Sequence, residues 1–206
     1  MTAQTARFWN KKAQGYAAKP LSDVQSYEEM LTEIGLHLSA SDNVLEIGCG
    51  TGSTAVRMAE QVASWTASDI SSEMIRIAKG KPAPDNTEFV VADADSSFEK
   101  APFDVVCAFH ILHLVPDTEQ TLKSLFNQLK PDGLFISKTV CPGDMGIMPR
   151  LVLPAMTLFR LAPPNVHLLQ RASLTQMVKK AGFEIIEQKT FGGHTAAPFI
   201  VARRPA

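Results

Sequence analysis

The chain has 206 residues, 45% of them hydrophobic and 20% charged, enough for one globular domain with a full core. Twenty Lys and Arg stand against 21 Asp and Glu, so the formal net charge is -1 and the basic excess of a phosphate-backbone binder is missing. Three cysteines, Cys49, Cys107 and Cys141, with no Cys-x-x-Cys pair, exclude a disulfide framework and a structural zinc site.

Strands and helices are expected to alternate along the chain. Asn43 to Ile47 reads as a short buried strand and Thr51 to Val62 as a helix with apolar Ala55, Met58, Ala59 and Val62. Ser64 to Ser68 follows as a strand, then Ser71 to Lys79 as a helix capped by Ser71. Glu88 to Val91 and Phe103 to Phe109 are two further strands. Asp117 can cap the next helix and Gln120 can close a capping box; Leu122, Leu125, Phe126 and Leu129 form its apolar stripe, and Pro131 should stop it. Leu134 to Val140 returns as a strand. The last helix should open at Ser173 and end at Gly182, before strands Phe183 to Thr190 and Phe199 to Arg203 that can pair as an antiparallel hairpin. The order argues for a mostly parallel sheet with helices on both faces.

Val44 to Gly52 (VLEIGCGTG) leaves a strand and enters a helix. Glycines at 48, 50 and 52 let the backbone turn tightly and approach a ligand with no Cβ in the way. The dinucleotide fingerprint counted from Gly48 meets Ser53 in its sixth place, which disfavours a nicotinamide hydride-transfer enzyme. No Gly-Lys-Ser/Thr end follows, so a P-loop is excluded. Asp69, 17 residues past Gly52 at the end of the next strand, can accept from both hydroxyls of a ribose, or else cap the helix after it.

Five ordered segments, VLEIGCGTG, SDISSEM, FVVADADS, FDVVCAFHILHLVPD and LKPDGLFI, together resemble the class I S-adenosylmethionine-dependent methyltransferases, in the small-molecule branch that includes quinone-biosynthesis enzymes. The resemblance implies a Rossmann-like fold with a seven-stranded sheet and an antiparallel C-terminal hairpin, and S-adenosylmethionine as cofactor. It places Gly48, Cys49 and Gly50 along the methionyl part, with Glu46 fixing the loop or the amino group. Asp69 takes the ribose, Ile70 and Met74 face the adenine, Asp93 accepts from the adenine amino group, and the Ala94 NH meets the ring. Phe109 contacts the methionine moiety. Phe8, Trp9, Asn10 and Tyr16 resemble a short N-terminal helix that closes over the cofactor, with Tyr16 reaching the methionyl carboxylate. Met74 could equally be core, and Asp95 competes with Asp93.

His110, one residue past Phe109 at a strand end, is the candidate base, because an imidazole can titrate near neutrality and take a proton from a substrate hydroxyl; it could also only orient substrate. His113 is expected to brace the loop before Pro116. His167 and His194 could reach the pocket or lie on the surface, and His37 has no expected role. No residue is expected to bind a metal.

The expected organisation is one domain: a helical cap over residues 1–40, a cofactor core over 43–140, a lid over 141–170, and a helix with hairpin over 171–206. The lid stretch is rich in Met and Leu with few charges, which suggests a lipophilic or aromatic small-molecule substrate, or a dimer contact. Arg150 and Arg160 flank it and could meet an anionic group or a membrane surface. No apolar run approaches the roughly 18 to 20 residues of a membrane span, and Met1 to Lys12 offers no apolar signal segment, so a cytoplasmic monomer or homodimer that does not bind nucleic acid is expected. The expected activity is methyl transfer to a small, largely apolar molecule, with oxygen preferred as acceptor. The alternatives are N- or C-methylation of a lipid amine or quinone at a membrane surface, and a non-catalytic cofactor-binding or assembly protein.

Overall fold

The computed structural model describes residues 3–159, 161–193 and 195–206. Two helices come first, α1 (Ala3–Ala18) and α2 (Val24–Leu36). The sheet is then built from β1 (Asn43–Ile47), β2 (Ser64–Asp69), β3 (Thr87–Val91), β4 (Phe103–Phe109), β5 (Leu129–Lys138), β6 (Glu184–Lys189) and β7 (Phe199–Arg203). Between the strands lie α3 (Ser53–Met58), α4 (Ser72–Lys79), α5 (Thr118–Gln128), α6 (Met148–Leu158) and α7 (Arg171–Lys180).

The strand order is β3-β2-β1-β4-β5-β7-β6. The first five strands run parallel, and β7 is antiparallel to both β5 and β6, so the expected C-terminal hairpin forms with β7 wedged inward. The chain order reverses at β1, whose Val44 sits between Trp65 of β2 and Val105 of β4. A strand covered on both faces needs apolar residues of both parities. Here Val44 packs with Trp65, Val105 and Phe199 on one face, while Leu45 and Ile47 pack with Phe103, Val106 and Phe135 on the other. The edge strand β6 alternates exposed and half-buried residues and carries Glu184, Glu187 and Lys189, charges that discourage edge-to-edge pairing.

Several boundaries differ from expectation for identifiable reasons. α3 starts at Ser53 rather than Thr51, because Gly52 takes a left-handed conformation (φ 72°) at its N-cap position, and the expected continuation to Val62 tightens into a 3₁₀ turn over Ala59–Gln61. α5 ends at Gln128, before Pro131 can act, and the chain enters β5 directly at Leu129, which pairs with Phe103. Pro131 and Asp132 (φ 64°) then fall in an irregular stretch of β5. α7 opens at Arg171, two residues before Ser173, since the Asp144 carboxylate accepts from the Arg171 NH at 2.7 Å. That cap comes from a distant segment, which no local pattern announces. By contrast the Ser71 and Asp117 caps sit where expected, accepting from the NH groups of Met74 at 3.1 Å and Gln120 at 3.0 Å.

Candidate active site

Both cavities that matter open at the carboxyl ends of the parallel strands, beside the point where the strand order reverses. Ligands of open α/β sheets bind there. Gly48, Gly50 and Gly52 have φ of 65°, 55° and 72°, a region disfavoured for residues with a side chain. The reasons for glycine then diverge. A Cβ on Gly48 would stand 2.7 Å from Ile111, and one on Gly52 would stand 2.5 Å from the Phe89 ring, so those two allow close packing of the loop. A Cβ on Gly50 would project into open space, with only Tyr16 at 3.8 Å. That face of the loop is a cradle.

The cradle belongs to a cavity of about 360 Å³ lined by Tyr16, Glu46, Gly48, Cys49, Gly50, Phe109 and His110, together with Tyr27, Lys81 and other residues. All of the residues expected along the methionyl half thus meet the same space as His110 itself. Asp69 lies next door: its carboxylate accepts from the Gly50 NH at 2.9 Å and from the Ser71 NH at 2.8 Å. It therefore fixes the loop and starts α4, and it is held above the usual aspartate range, burial being the main cause. Ile70 is half-buried, Ala94 is buried, and Met74 is buried on the inner face of α4. Asp93 accepts from the Asp95 NH at 3.2 Å, while its own NH donates to Ser96 Oγ at 3.1 Å.

Glu46 is 2% exposed and its Oε2 accepts from the Trp65 indole at 3.0 Å. Burial pushes its carboxyl up to about 7, only partly offset by that hydrogen bond. A cation entering the cavity would find in Glu46 a carboxyl ready to ionise. Cys49 and Cys107 are buried thiols pushed well above the usual cysteine range, first by burial and then by Glu46. They are inert packing groups.

α1 lies across α4, and the contact explains what Asn10 does. Its Oδ1 accepts from Ser71 Oγ at 2.6 Å and from the Glu73 NH at 3.3 Å, completing the N-terminus of α4 from outside. Trp9 meets Phe8 and Tyr16 edge-on, with ring centroids at 5.3 and 6.5 Å. Asn10 was expected only as part of the closing N-terminal helix, and Lys81 was not singled out in the sequence. The Lys81 ammonium donates to Ser53 Oγ at 2.9 Å and Thr51 Oγ1 at 3.2 Å, at the rim of the cavity. A Lys just after α4 carries no local pattern that could have flagged it.

His110 ends β4 in a left-handed conformation (φ 57°), held by its NH donating to the Lys138 carbonyl at 2.7 Å. It lines the first cavity and also a second, of about 460 Å³, whose wall includes Asp23, Ser26, Tyr27, Lys138, Asp144 and Met145. Desolvation by the protein around it, and then the Lys138 ammonium, push its imidazolium down to about 4. The expectation of titration near neutrality is corrected: His110 is neutral at pH 7.

The other described histidines, His37, His113 and His167, are not among the residues lining either cavity. His113 is likewise pushed down to about 4, chiefly by burial, and its carbonyl accepts from the His167 NH at 2.8 Å. His167 Nε2 sits 2.8 Å from the Val115 carbonyl, away from both cavities. His37 lies 3.3 Å from each of Glu33 and Glu187, a group that could hold a metal ion but in which Lys189 already pairs with both carboxylates. His194 and Arg160 lie outside the described residues.

The Met- and Leu-rich run contributes Met145 to the second cavity, but α6 buries none of its residues. Leu151, Leu158 and Phe159 are exposed, as is Arg150. A separate cleft of about 480 Å³ lies between α1 and the chain after α6, lined by Arg7, Phe8, Lys11, Lys12, Thr157 and Ala162.

A sheet of this order, a glycine loop leaving its first strand and an acidic residue ending its second define a nucleoside-cofactor-binding α/β protein. A family profile described as "Methyltransferase domain" matches residues 16–188, and the chain belongs to that family. It is 26% identical over 161 residues to the ubiquinone biosynthesis O-methyltransferase of Neisseria meningitidis serogroup C, covering 73% of this chain and 67% of that protein. It is 29% identical over 178 residues to the demethylmenaquinone methyltransferase of Lactococcus lactis, covering 75% and 71%. Its fold is similar to that of the N-methyltransferase NodS from Bradyrhizobium japonicum, solved with S-adenosyl-L-homocysteine, with a TM-score of 0.77, 14% identity, and 98% and 100% of the two chains covered. The protein is a class I S-adenosylmethionine-dependent methyltransferase, similar to quinone-biosynthesis enzymes. Among the described residues no helix is long and apolar enough to cross a membrane.

Proposed function

We propose that this enzyme methylates a hydroxyl oxygen of a small molecule, with the cofactor's methionyl half in the 360 Å³ cavity and the acceptor in the 460 Å³ cavity. The observation that carries the reading is that His110 lines both spaces. The cofactor, when bound, supplies a methyl group on a positively charged sulfur, an excellent leaving group. The protein has mainly to align the two reactants and exclude water.

The balance at oxygen is simple. A lone pair on the hydroxyl oxygen forms the new O–CH₃ bond, the CH₃–S bond breaks with its electrons left on sulfur, and the hydroxyl proton leaves. Neutral His110 Nδ1 or Nε2 can receive that proton. An imidazolium at about 4 is a strong acid, however. Taking a proton fully from an ordinary phenol of pKa ~10 would be uphill by roughly 8 kcal/mol. The acceptor must therefore be acidified by its surroundings.

We expect Gly48, Cys49, Gly50 and Phe109 to line the methionyl half, with Glu46 toward its ammonium and Tyr16 toward its carboxylate. Asp69, Ile70, Met74, Asp93 and Ala94 serve the nucleoside end. The test is turnover with a methyl-labelled cofactor on a panel of small phenols and catechols, with the product's methyl position read by NMR. Label on nitrogen or carbon alone, or a His110→Ala enzyme that keeps full turnover across pH, would defeat the O-methyl reading.

A second reading rests on a different observation. α6 exposes apolar residues and contributes Thr157 to the cleft lined by the basic Arg7, Lys11 and Lys12 of α1, a combination suited to an anionic bilayer surface. Transfer to a lipid-borne amine or quinone ring would follow from it. Co-sedimentation with vesicles containing anionic lipid, lost on Leu158→Asp, would favour this reading; no co-sedimentation would remove it.

A further inference from the structure

Lys138 is the last residue of β5 and is only 6% exposed. A lysine is almost never that buried without a carboxylate partner. Yet among the described residues it forms no ion pair, and its recorded contact is the face of Phe191, whose centroid lies 5.3 Å from Nζ. Burial holds its ammonium below the usual lysine range, with Asp23 and Glu29 pulling the other way from a distance. The side chain borders the second cavity, alongside His110.

The acidic groups near that cavity are already engaged. Asp23 caps α2, accepting from the Ser26 NH at 2.9 Å and Ser26 Oγ at 2.6 Å. Asp144 caps α7 through the Arg171 NH and has the Arg171 guanidinium at 3.7 Å. Glu29 accepts from the Gln25 amide at 3.0 Å. Among the described residues the wall thus presents one buried cation in no ion pair, and two carboxylates committed to helix ends.

We propose that Lys138 is the anion anchor of the acceptor site, and that the substrate is a small acidic molecule that sets a carboxylate or phenolate oxygen against this ammonium. The inference rests on the reading of the 460 Å³ cavity as the acceptor pocket. A buried ammonium pairs with a desolvated oxyanion far better than with a neutral group. Held at the acceptor oxygen, it would stabilise the phenolate and so relieve the poor basicity of His110. Held at a carboxylate elsewhere on the ring, it would set the hydroxyl's position. Phe191, held edge-on against Phe199 with ring centroids 5.2 Å apart, gives the lysine a fixed aromatic face.

Calorimetry on the full chain loaded with S-adenosylhomocysteine tests this with three probes: benzoate, 4-nitrophenolate and benzamide. The expected result is that at least one anion binds roughly tenfold or more tightly than benzamide. Preference for benzoate alone assigns the anchor to a carboxylate, and preference for nitrophenolate alone to a phenolate. Lys138→Met should erase the preference while leaving S-adenosylhomocysteine affinity within about twofold, and Lys138→Arg should restore part of it. Benzamide binding as tightly as both anions in the unmodified enzyme would overturn the proposal, whatever the variants do. A preference that survives in Lys138→Met would overturn it too. The O-methyl reading stands or falls separately, on the position of the labelled methyl group.

Discussion

The glycine loop and α6 are opposite kinds of structure in one chain. At the loop, a methyl group added to Gly52 would stand 2.5 Å from Phe89 and one added to Gly48 would stand 2.7 Å from Ile111. In α6 no residue is buried, and Leu158 and Phe159 are 77% and 72% exposed. The first region is fixed by close contacts at Gly48 and Gly52 and left open only at Gly50; the second is held by few contacts. Positioning a cofactor needs the former, because a displacement of a fraction of an ångström misaligns the reacting atoms. The outward face of α6 leaves room for a partner of different chemistry.

The largest expected effects fall at the loop. Gly52→Val combines a left-handed backbone with a steric clash, so it should cost several kcal/mol of stability and abolish cofactor binding, read by thermal melting and calorimetry. If it melted like the unmodified protein, the contrast between the regions would be wrong. Asp69→Ala frees the Gly50 and Ser71 NH groups and should weaken cofactor binding by roughly tenfold or more. Turnover at saturating cofactor should suffer less.

Glu46 sharpens the comparison through protons. Its carboxyl is raised to about 7 in the free protein, so a bound methionyl ammonium should drive it to ionise and release a proton. Affinity should then rise with pH up to about 7 and level off, with calorimetry in buffers of different ionisation enthalpy detecting the proton. Glu46→Gln should abolish both signals. The histidines act on stability. His110 and His113 are each pushed down to about 4 in the folded chain, against ~6.5 when unfolded. The unfolded state therefore binds more protons below ~6.5, and stability present above that pH is lost as pH falls toward 4. A Tm that decreases through this window, with a shallower decrease in His113→Gln, is the expected outcome. The smallest effect is at α6: Leu158→Ser should change stability by no more than about 0.5 kcal/mol.

Legibility followed the same divide. Ser71, Asp117, the strand VLEI and the glycines announce themselves, because capping and tight turning act over three or four residues. The cap on α7 did not, since Asp144 arrives from 27 residues away. Asn10 was legible as part of the closing helix but not as the partner of α4, and Lys81 bonding Thr51 and Ser53 was silent. The apolar run around α6 was legible as apolar, but its pattern could not say which way it faces. Lys138 offered one hint, a charge ending the otherwise uncharged strand segment LFIS at a carboxyl end.

A length of 206 residues, a near-neutral charge and five ordered motifs determined the sheet, the class of cofactor and the tight glycine loop after the first strand, because these depend on local pattern and backbone geometry. Only the tertiary structure decided that His110 borders two cavities, that it is neutral, and that a buried lysine faces it. Burial and electrostatic environment depend on residues far apart in the chain, and they set the chemistry of a side chain as much as its identity does.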